Sequence, residues 1–459
     1  MNTTTLDTTA ELVSYDPYDG SELGRLPITP TSEIDGIIAN ARWAQRAWAE
    51  RPLAERLELL RSVLPHFREQ EQALGELISR EQGKPIREAG WEITAILGGL
   101  ERELGEVAEA LAPQVIEDDA TRSTIHRDPL GVCAAIAPWN FPVLMPHWLV
   151  FPALATGNAV VLKPSELTPL CAQAYADIWQ RVLPDGLLQV VHGRDEQGKT
   201  LVAGDVDLVG FTGSRDAGRH IMRSAADGLK RLILELGSKD PLVVLRDADV
   251  DAAADFAAGN SFRNCGQVCV STERIYVEQP IADRFMQRLL EKTAAIKPGR
   301  GLDEGTELGP MVDAGQRDRV LSQVTDAVAD GAEVLTGGEP GEGNFLPPTV
   351  LINVTHDMRI QREETFGPVA VVQVVADEHE AVRLANDSDL GLGGVVFGEP
   401  EHAERVARKL GVGMVGINKS IGGAAGTPWV GARQSGVGFH SSIEGHRQFC
   451  QTRVVSRAK

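Results

Sequence analysis

Short apolar runs that alternate with amphipathic helical stretches constrain the fold of this chain most strongly. The runs are nearly free of polar residues, which is typical of strands that are buried on both faces. Their alternation with helices predicts parallel sheets covered by helices, an α/β fold. The predicted strands are Gly131–Ile136, Ala159–Leu162, Leu188–Val191, Leu208–Phe211, Leu232–Leu236 and Leu242–Leu245, and the helices between them include Leu167–Val182 and Ala217–Ala226.

The same alternation resumes after Asp251, so the sequence predicts a second α/β unit behind the first. The Glu235–Asp240 region is the predicted hinge between the two units. Ligands in such folds bind where the carboxyl ends of the strands open into a crevice, so we expect a site between the units. Further predicted elements are helices at Pro30–Arg51, Leu53–Glu81, Ile281–Lys292 and Glu401–Lys409, and strands at Arg274–Val277 and Val369–Val375.

The charge balance and the cysteine content narrow the class of protein. A formal net charge of −20 argues against a nucleic-acid partner, because binding to the phosphate backbone needs clustered Lys and Arg. The 5 cysteines in 459 residues do not suggest a disulfide framework. The stretch Met1–Tyr15 contains Asp7 and Glu11 and has no apolar core, so we expect no signal peptide there. We therefore expect a cytoplasmic protein.

One segment, Leu130–Leu162, contains no Asp, Glu, Lys or Arg and could be mistaken for a membrane span. Four prolines interrupt it, and each removes a backbone hydrogen-bond donor that a spanning helix needs. We interpret the segment as a buried strand, a loop, a helix and a second strand, and we expect no membrane association.

The segment Phe262–Cys269 carries the strongest chemical signal. A lone cysteine is most often a buried structural residue. A metal site is disfavoured, because the pair Cys265 and Cys269 lacks further ligands at usable spacing. Three other segments accompany it, namely Pro138–Pro142, Glu235–Lys239 and Glu363–Pro368. Together and in this order, the four segments resemble the aldehyde dehydrogenase superfamily, and the resemblance extends from about Tyr15 to the Gly-rich C-terminal segment.

This resemblance implies NAD(P)-dependent oxidation of an aldehyde to a carboxylic acid through a thioester on Cys269. A thiolate is a strong nucleophile near neutral pH. The side chain of Asn140 and the backbone N–H of Cys269 would stabilise the oxyanion, and loss of one such donor typically costs about 100- to 1,000-fold in rate. Glu235 would activate the water that hydrolyses the thioester, and we expect burial to raise its pKa. No histidine is assigned a catalytic role.

A cofactor site is predicted at Phe211–Gly218, which follows a strand and opens a helix. The start of a helix offers free N–H groups to a pyrophosphate. The segment is looser than the G-x-G-x-x-G pattern, but Gly213, Ser214 and Gly218 match the version found in the family.

Five further residues are assigned to the cofactor by the resemblance. Lys163 and Glu166 would bind the adenosine ribose, and the Glu166 carboxylate would repel a 2′-phosphate, so NAD is preferred while NADP stays possible. Glu364 would hold the nicotinamide ribose, Phe366 would pack near the nicotinamide ring, and Trp139 would also bind the cofactor. No metal ion is expected.

The residues that would select the substrate are less clearly defined by the sequence. Arg263 matches a position that binds the distal carboxylate in the succinic semialdehyde branch, but a structural ion pair explains it equally well. Trp148 occupies the position of the second Arg of that branch, as in branches that take uncharged aldehydes. The segment Thr427–Gly431 also departs from the family's usual Pro-Phe-Gly-Gly. A semialdehyde is one candidate, and the identity of the aldehyde stays open.

Two alternatives to a hydrolytic enzyme are considered. In a CoA-acylating aldehyde dehydrogenase, CoA rather than water would take the acyl group, but such relatives usually lack the general base, and Glu235 is present. In a non-enzymatic binder on the same scaffold, Cys269, Glu235 or Asn140 would be expected to be lost, and all three are present.

The resemblance also predicts a domain arrangement and an assembly. Residues 1–117 and 131–238 would form a Rossmann-like cofactor domain, residues 239–437 a catalytic α/β domain, and residues 118–130 and 438–459 a small β excursion for oligomerisation. The segments Thr121–Arg127 and Gln451–Ser456 are expected to pair between subunits. Since an isolated two-stranded excursion is unstable in water, we expect a homodimer or a tetramer.

Overall fold

The computed structural model describes residues 10–459, so most of the Met1–Tyr15 stretch, for which no signal peptide is expected, lies outside the described residues. None of the described helices is long and apolar enough to cross a membrane. The N-terminal part contains β1 (Glu11–Tyr15), β2 (Glu22–Pro27), α1 (Thr31–Glu50), α2 (Leu53–Arg61), α3 (Leu64–Gln82), α4 (Ile86–Ala110), β3 (Gln114–Glu117) and β4 (Thr121–Pro129).

The first large sheet is built mainly by the next part of the chain. Its strands run in the order β20-β9-β8-β5-β6-β7, and the five strands from β5 to β9 are parallel. The elements of this part are β5 (Val132–Ile136), α5 (Leu144–Ala155), β6 (Ala159–Lys163), α6 (Pro169–Gln180), β7 (Leu188–Val190), α7 (Asp195–Ala203), β8 (Leu208–Thr212), α8 (Arg215–Ala226) and β9 (Arg231–Glu235).

The register of the parallel strands places their carboxyl ends next to one another along one edge of the sheet. Ile136 at the end of β5 pairs with Lys163 on β6 and with Phe211 on β8, and Thr212 pairs with Glu235 on β9. Segments that follow these strands therefore meet at one edge. The charge-free segment Leu130–Leu162 folds as a strand, a loop, a helix and a strand, as predicted.

The second large sheet follows and has the strand order β12-β13-β14-β11-β10-β16-β17, in which only β12 is antiparallel to its neighbour. Its elements are β10 (Asp240–Val244), α9 (Val250–Phe262), β11 (Thr272–Glu278), α10 (Ala282–Ala295), α11 (Ala314–Ala329), β12 (Glu333–Thr336), β13 (Thr349–Ile352), α12 (Arg359–Arg362), β14 (Val369–Val375), α13 (Glu378–Asn386), β15 (Leu390–Gly391), β16 (Gly393–Phe397), α14 (Pro400–Ala407) and β17 (Met414–Ile417). The predicted α/β fold with two parallel-sheet units is thus confirmed, and the chain crosses between them in residues 236–239.

The C-terminal part returns to the first sheet and then leaves it. It contains β18 (Trp429–Val430), β19 (Ala432–Arg433), β20 (Gly436–Val437), β21 (Phe439–His440), α15 (Ser442–Arg447) and β22 (Cys450–Ala458). Strand β20 pairs with β9, so this short strand belongs to the first sheet rather than to the predicted 239–437 unit. The reason is that the backbone N–H and C=O groups along the edge of β9 need partners, and the tail supplies them.

A separate three-stranded sheet has the order β22-β4-β3. The expectation that its two predicted segments pair between subunits was wrong, since β22 pairs with β4 of the same chain, with Val454 opposite Ile125. The tail reaches its own β4 because α15 ends beside it and Cys450 is placed opposite Pro129. Strand β3 adds a third strand from residues 114–117, which the predicted boundaries placed in the cofactor domain.

The predicted helix Leu53–Glu81 is two helices, α2 and α3, separated at Ser62 and Val63. Pro65 lies in the first turn of α3, where its missing N–H costs no helical hydrogen bond. A continuous helix would need that N–H group, so the break follows from the proline.

Candidate active site

The four segments singled out in the sequence meet in the crevice between the two large sheets. They line a cavity of about 130 Å³. Its walls come from the ends of β5, β8 and β9, from the loop before β11 and from the segment before β14. The lining residues are Pro138, Trp139, Asn140, Met145, Thr212, Gly213, Ser214, Glu235, Leu236, Gly237, Cys269, Gln316, Arg319, Glu364 and Phe366.

Cys269 follows a tight turn that its sequence makes possible. Asn264, Cys265 and Gly266 all have positive φ angles, of 49°, 56° and 69°, which favour Asn and Gly. A Cβ atom on Gly266 would lie 2.0 Å from the backbone oxygen of Gly367. This glycine therefore lets the cysteine loop pack directly on the segment that carries Glu364 and Phe366.

Asn140 is held by a network that joins its loop to the cysteine loop. Its Nδ2 donates to the backbone oxygen of Gln267 at 3.0 Å. Its own backbone oxygen accepts from Nδ2 of Asn264 at 3.2 Å and from Nζ of Lys84 at 2.6 Å. Both ends of the residue are thus fixed, and one hydrogen of the side-chain amide is left for another acceptor.

Glu235 ends strand β9, and its side chain is buried. Its Oε2 lies 3.5 Å from Oγ1 of Thr212 and 3.5 Å from Nε2 of His440. Burial alone would raise the pKa of Glu235, but the contacts with His440, Cys269 and Trp429 outweigh burial and lower it. The expectation of a raised pKa was therefore wrong, because polar neighbours replace the lost water.

The pKa of the Cys269 thiol is shifted in the opposite direction, upward. Burial and the neighbouring Glu235 carboxylate raise its pKa well above the ordinary value. The resting group is therefore a thiol, and Glu235 is the base that lies against it. Reaction of this cysteine as a nucleophile requires the loss of its proton.

The predicted phosphate-binding segment lies at the start of α8. Ser214 is the cap of this helix, and its Oγ accepts from the backbone N–H of Ala217 at 3.3 Å. A Cβ atom on Gly218 would lie 2.5 Å from the side chain of Leu236, so glycine allows the first turn of the helix to approach the end of β9. The remaining N–H groups of the first turn can bind an anion.

Lys163 is the last residue of β6, and Glu166 follows it in the next loop; the two form a pair in which Nζ is 3.5 Å from Oε2. Burial lowers the pKa of Lys163. A cation and a carboxylate side by side at the edge of the first sheet suit a pair of sugar hydroxyl groups, which can donate and accept hydrogen bonds.

The loop that carries Glu364 and Phe366 is held by hydrogen bonds to strand β11 of the second sheet and to the segment that leads into that sheet. Oε1 of Glu364 accepts from the backbone N–H of Ser238 at 2.8 Å. The ring of Phe366 meets the ring of Trp139 edge to face at 5.4 Å. Glu273 accepts from the backbone N–H of Phe366 at 2.9 Å and from Nζ of Lys239 at 2.6 Å, which fixes the loop. The cavity thus extends from the start of α8 to Cys269, with room for a ligand between these two points.

Trp148 does not line this cavity but an adjacent one of about 280 Å³. Its ring contacts those of Trp429 and His440, at 5.6 and 5.1 Å between centroids. Trp429 borders this second cavity and also contacts Glu235. Two carboxylates, Glu103 and Glu106, also line this second cavity, and Arg102, which lies 3.6 and 3.3 Å from them, lines it as well.

Arg263 is not among the residues that line either cavity. Its guanidinium group packs over the rings of Trp91 and Phe141, at 5.1 and 5.6 Å from their centroids. Its positive charge also acts on the largely buried Glu88 carboxyl, whose pKa it lowers against the effect of burial. Stacking on aromatic rings is a contact of this arginine that the sequence did not predict.

The sequence analysis did not predict several residues of the site. His440 and Trp429 reach Glu235 from the C-terminal tail, and Lys84 reaches Asn140 from a distant loop. Only the departure of Thr427–Gly431 from the family pattern indicated that the segment around Trp429 matters for the site. Among residues 10–459, no group of three or more His, Cys, Asp or Glu side chains is arranged to hold a metal ion.

Comparison with known proteins gives a consistent assignment. The sequence profile of the aldehyde dehydrogenase family matches residues 5–455. An aminoaldehyde dehydrogenase 2 (peroxisomal) from Pisum sativum is 39% identical over 439 residues, which cover 92% of this chain and 87% of the relative.

Two solved structures are similar over nearly their whole length. A succinate-semialdehyde dehydrogenase from Burkholderia pseudomallei matches with a TM-score of 0.95 and 36% identity, covering 99% of this chain and 95% of the other. A betaine aldehyde dehydrogenase point mutant from Staphylococcus aureus in complex with NAD+ matches with a TM-score of 0.95 and 33% identity, covering 98% and 94%. The chain therefore belongs to the aldehyde dehydrogenase family and is an NAD(P)-dependent enzyme that oxidises aldehydes.

Proposed function

We propose that the enzyme acts through a covalent thioester on Cys269 that water hydrolyses with the help of Glu235. The observation that carries this proposal is that a cysteine from the second α/β unit and a carboxylate from the first face each other in one cavity, next to Asn140. In the first step the sulfur bonds to the aldehyde carbon and the thiol proton is released to solvent, so Glu235 stays ionised for the second half of the reaction. The amide of Asn140 and the backbone N–H of Cys269 stabilise the resulting oxyanion.

A dinucleotide site is supported by a cavity that reaches from Ser214 at the start of α8 to Cys269 and Glu364, and by Lys163 at the end of the neighbouring strand β6. NAD(P)+ bound along this edge would supply the acceptor for the hydride that leaves the thiohemiacetal carbon. Ser214 and the first turn of α8 would hold the pyrophosphate, Lys163 and Glu166 the adenosine ribose, and Glu364 the other ribose. The Glu166 carboxylate supports a preference for NAD, because it would repel a 2′-phosphate.

The second half of the reaction releases the acid. Glu235 takes a proton from water, the water oxygen bonds to the thioester carbon, and the sulfur leaves that carbon. The lowered pKa of Glu235 keeps it ionised at neutral pH, so it is ready to accept this proton. The presence of this base supports hydrolysis over transfer of the acyl group to CoA.

Aldehyde-dependent NADH formation with defined variants tests this assignment. We expect Cys269→Ala to abolish activity, whereas Cys265→Ala, which changes the neighbouring buried cysteine, retains it. Glu235→Gln should form the acyl-enzyme, visible as an added acyl mass on the intact protein, but should turn over at least about 100-fold more slowly. A Cys269→Ala enzyme with wild-type turnover, or wild-type activity that depends on added CoA, would contradict the proposal.

The second cavity supports an aldehyde that carries an amino group as substrate. Trp148 and Trp429 present aromatic surface, and Glu103 and Glu106 present carboxylates. Although burial raises the pKa of Glu103, its contacts with His147 and Arg102 outweigh burial and lower it, so the group is ionised at neutral pH. Aromatic faces and carboxylates together bind an ammonium group. The name of the Pisum sativum relative agrees with this substrate class.

Substrate preference is measured as kcat/KM for 4-aminobutanal, butanal and succinic semialdehyde, which have the same chain length. We expect the amino compound to be the best of the three and the carboxylate the worst. Glu106→Gln should lower kcat/KM for 4-aminobutanal by about 10-fold and leave that for butanal unchanged, because only the former loses a charge-assisted contact. Equal losses for both substrates would show that Glu106 does not bind the amino group.

We propose that the enzyme assembles as a homodimer or tetramer in a reducing compartment. A homodimer or tetramer is supported by the exposed three-stranded sheet, which has little of the buried surface that normally stabilises a sheet. A reducing compartment such as the cytoplasm is supported by the five cysteines, all of which are free in the part of the chain that the structure describes.

A further inference from the structure

His440 is a buried histidine beside Glu235 that has no role in the mechanism above. Only 2% of the residue is exposed. Its Nε2 lies 3.5 Å from Oε2 of Glu235, and its Nδ1 lies 3.0 Å from Oγ of Ser441. Its ring contacts the rings of Trp148 and Trp429, which fix its plane. The imidazole is therefore held in one orientation, with its two nitrogens facing different partners.

The two oxygens of Glu235 have different surroundings. Oε2 faces His440 and Thr212, whereas Oε1 is buried and has no hydrogen-bond partner among residues 10–459. A buried carboxylate oxygen without a partner is costly, and at a reaction centre it marks the atom that receives a ligand or water. Oε1 is therefore the oxygen that is free to take a proton from the hydrolytic water.

The contact with Ser441 gives Nδ1 of His440 a hydroxyl partner, which allows the hydrogen of the ring to be on Nε2. When the Ser441 hydroxyl donates to Nδ1, the neutral ring has its hydrogen on Nε2 and donates to Oε2 of Glu235. The distance of 3.5 Å is long for such a bond, but catalytic hydrogen bonds are often long before the substrate binds.

We propose that His440 is a positioning residue for thioester hydrolysis, in which its Nε2–H holds Oε2 of Glu235 so that Oε1 faces the attacking water. This inference rests on the proposed function, in which Glu235 is the base for hydrolysis. It predicts that His440 matters for release of the acyl group and not for formation of the thioester, since the first step needs the thiol and the oxyanion donors.

The charges around Glu235 and His440 predict in which direction loss of the His440 imidazole shifts the pH dependence of kcat. Glu235 is faced by His440 from β21, by Cys269 from the loop before β11, and by the uncharged Trp429 and Thr212 from β18 and β8. Of these neighbours, only His440 can carry a positive charge. Loss of its imidazole would leave burial as the larger influence, so the pKa of Glu235 would rise and the acid limb of kcat would move to higher pH.

His440 itself has few charged neighbours. Glu235 is the charged group in contact with it, and the rings of Trp148 and Trp429 and the Ser441 hydroxyl are neutral. The pair His446 and Glu106, at 3.4 Å, lies further along the wall of the second cavity.

The test compares His440→Leu, which removes the donor, with His440→Gln, whose amide can still donate to Glu235. Rapid mixing measures NADH formation in the first turnover, and steady-state assays measure kcat over a range of pH. We expect His440→Leu to keep the first turnover, to lose up to about 100-fold in kcat, and to shift the acid limb to higher pH. We expect His440→Gln to recover most of kcat. His379→Ala, which changes an exposed histidine on α13, serves as the matched control.

The inference is wrong if His440→Leu slows the first turnover as much as the steady state, or if His440→Gln is as slow as His440→Leu with an unchanged acid limb. If His440→Leu does not fold, His440→Asn replaces it, because its shorter amide cannot reach Oε2 and the same results are expected. Failure of the proposed function is recognised separately, since Glu235→Gln would then show no acyl-enzyme.

Discussion

Glu364 combines burial with a position at the boundary between the two sheets. Burial and the charge of Glu273 raise its pKa to about 7. The carboxyl group of Glu364 therefore changes its charge near neutral pH. In the proposed role it holds a cofactor ribose, and only the ionised carboxylate can accept hydrogen bonds from both ribose hydroxyls.

We expect NAD to bind more tightly as the pH rises through the pKa of Glu364. Below this pKa the carboxyl is protonated, so affinity should rise by about 10-fold between about pH 6 and pH 8. Calorimetric titration of the enzyme with NAD at these pH values measures the effect. Glu364→Gln should bind weakly with no such slope; a slope that persists in this variant would assign the pH dependence to another group.

At the same scale, the residues proposed to carry the reaction could be predicted from the sequence, but the side chains around them could not. Cys269, Glu235 and Asn140 were selected because their segments occur together in a recognisable order. The lowered pKa of Glu235 was not predicted, because it depends on His440 and Trp429, which follow Glu235 in the chain by about 200 residues. No local pattern reports a contact of that kind.

At the scale of elements, a buried ion pair joins α4 to the start of α5. The Lys84 and Glu92 side chains are fully buried, with Nζ 2.8 Å from Oε1. Glu92 also accepts from the backbone N–H groups of Val143 and Leu144, at 3.1 and 3.0 Å. Because Lys84 holds the backbone oxygen of Asn140, this pair fixes the loop between β5 and α5 that carries the proposed oxyanion donor.

We expect Lys84→Met to destabilise the protein by about 3–5 kcal/mol, because it leaves the Glu92 charge buried without a partner. The double variant Lys84→Met/Glu92→Gln removes both charges but keeps an acceptor for the start of α5, so most of that stability should return. Its kcat should nevertheless stay low, since Asn140 has lost its anchor. Urea denaturation and steady-state assays measure the two effects, and equal destabilisation in the single and double variants would contradict this account.

At the scale of the whole molecule, the three-stranded sheet exposes apolar side chains. Val115, Ile116, Val454 and Val455 are 45%, 54%, 58% and 53% exposed. Few sheets of this size are stable with so little buried surface, so a second surface is expected to cover it. The pairing of β22 with β4 within one chain leaves the outer strands β22 and β3 with free edges.

We expect light scattering at micromolar concentration to show a dimer or a tetramer of the 49.4 kDa chain. Val454→Lys and deletion of residues 451–459 should each shift the protein toward the monomer, because the sheet would lose apolar contact area. Val328→Lys is the matched control, since Val328 is 45% exposed on α11 outside this sheet. A wild-type protein that is only monomeric would refute the proposed assembly.

The sequence by itself determined the α/β class, the two parallel sheets and three residues, Cys269, Glu235 and Asn140, that line one cavity. Buried parallel strands need apolar runs, and a covalent reaction needs specific residue types in fixed local turns, so both leave local patterns. The predicted strands Ala159–Leu162 and Leu208–Phe211 were correct for this reason.

Only the tertiary structure decided how distant segments meet. It placed His440 against Glu235, Lys84 against Asn140, Arg263 on aromatic rings, and the C-terminal strand on β4 of its own chain. Each of these depends on the packing of elements that lie far apart in the sequence. The physical reason is that a buried charge or a free strand edge is satisfied by whichever group the fold brings near, and local residue patterns do not specify that group.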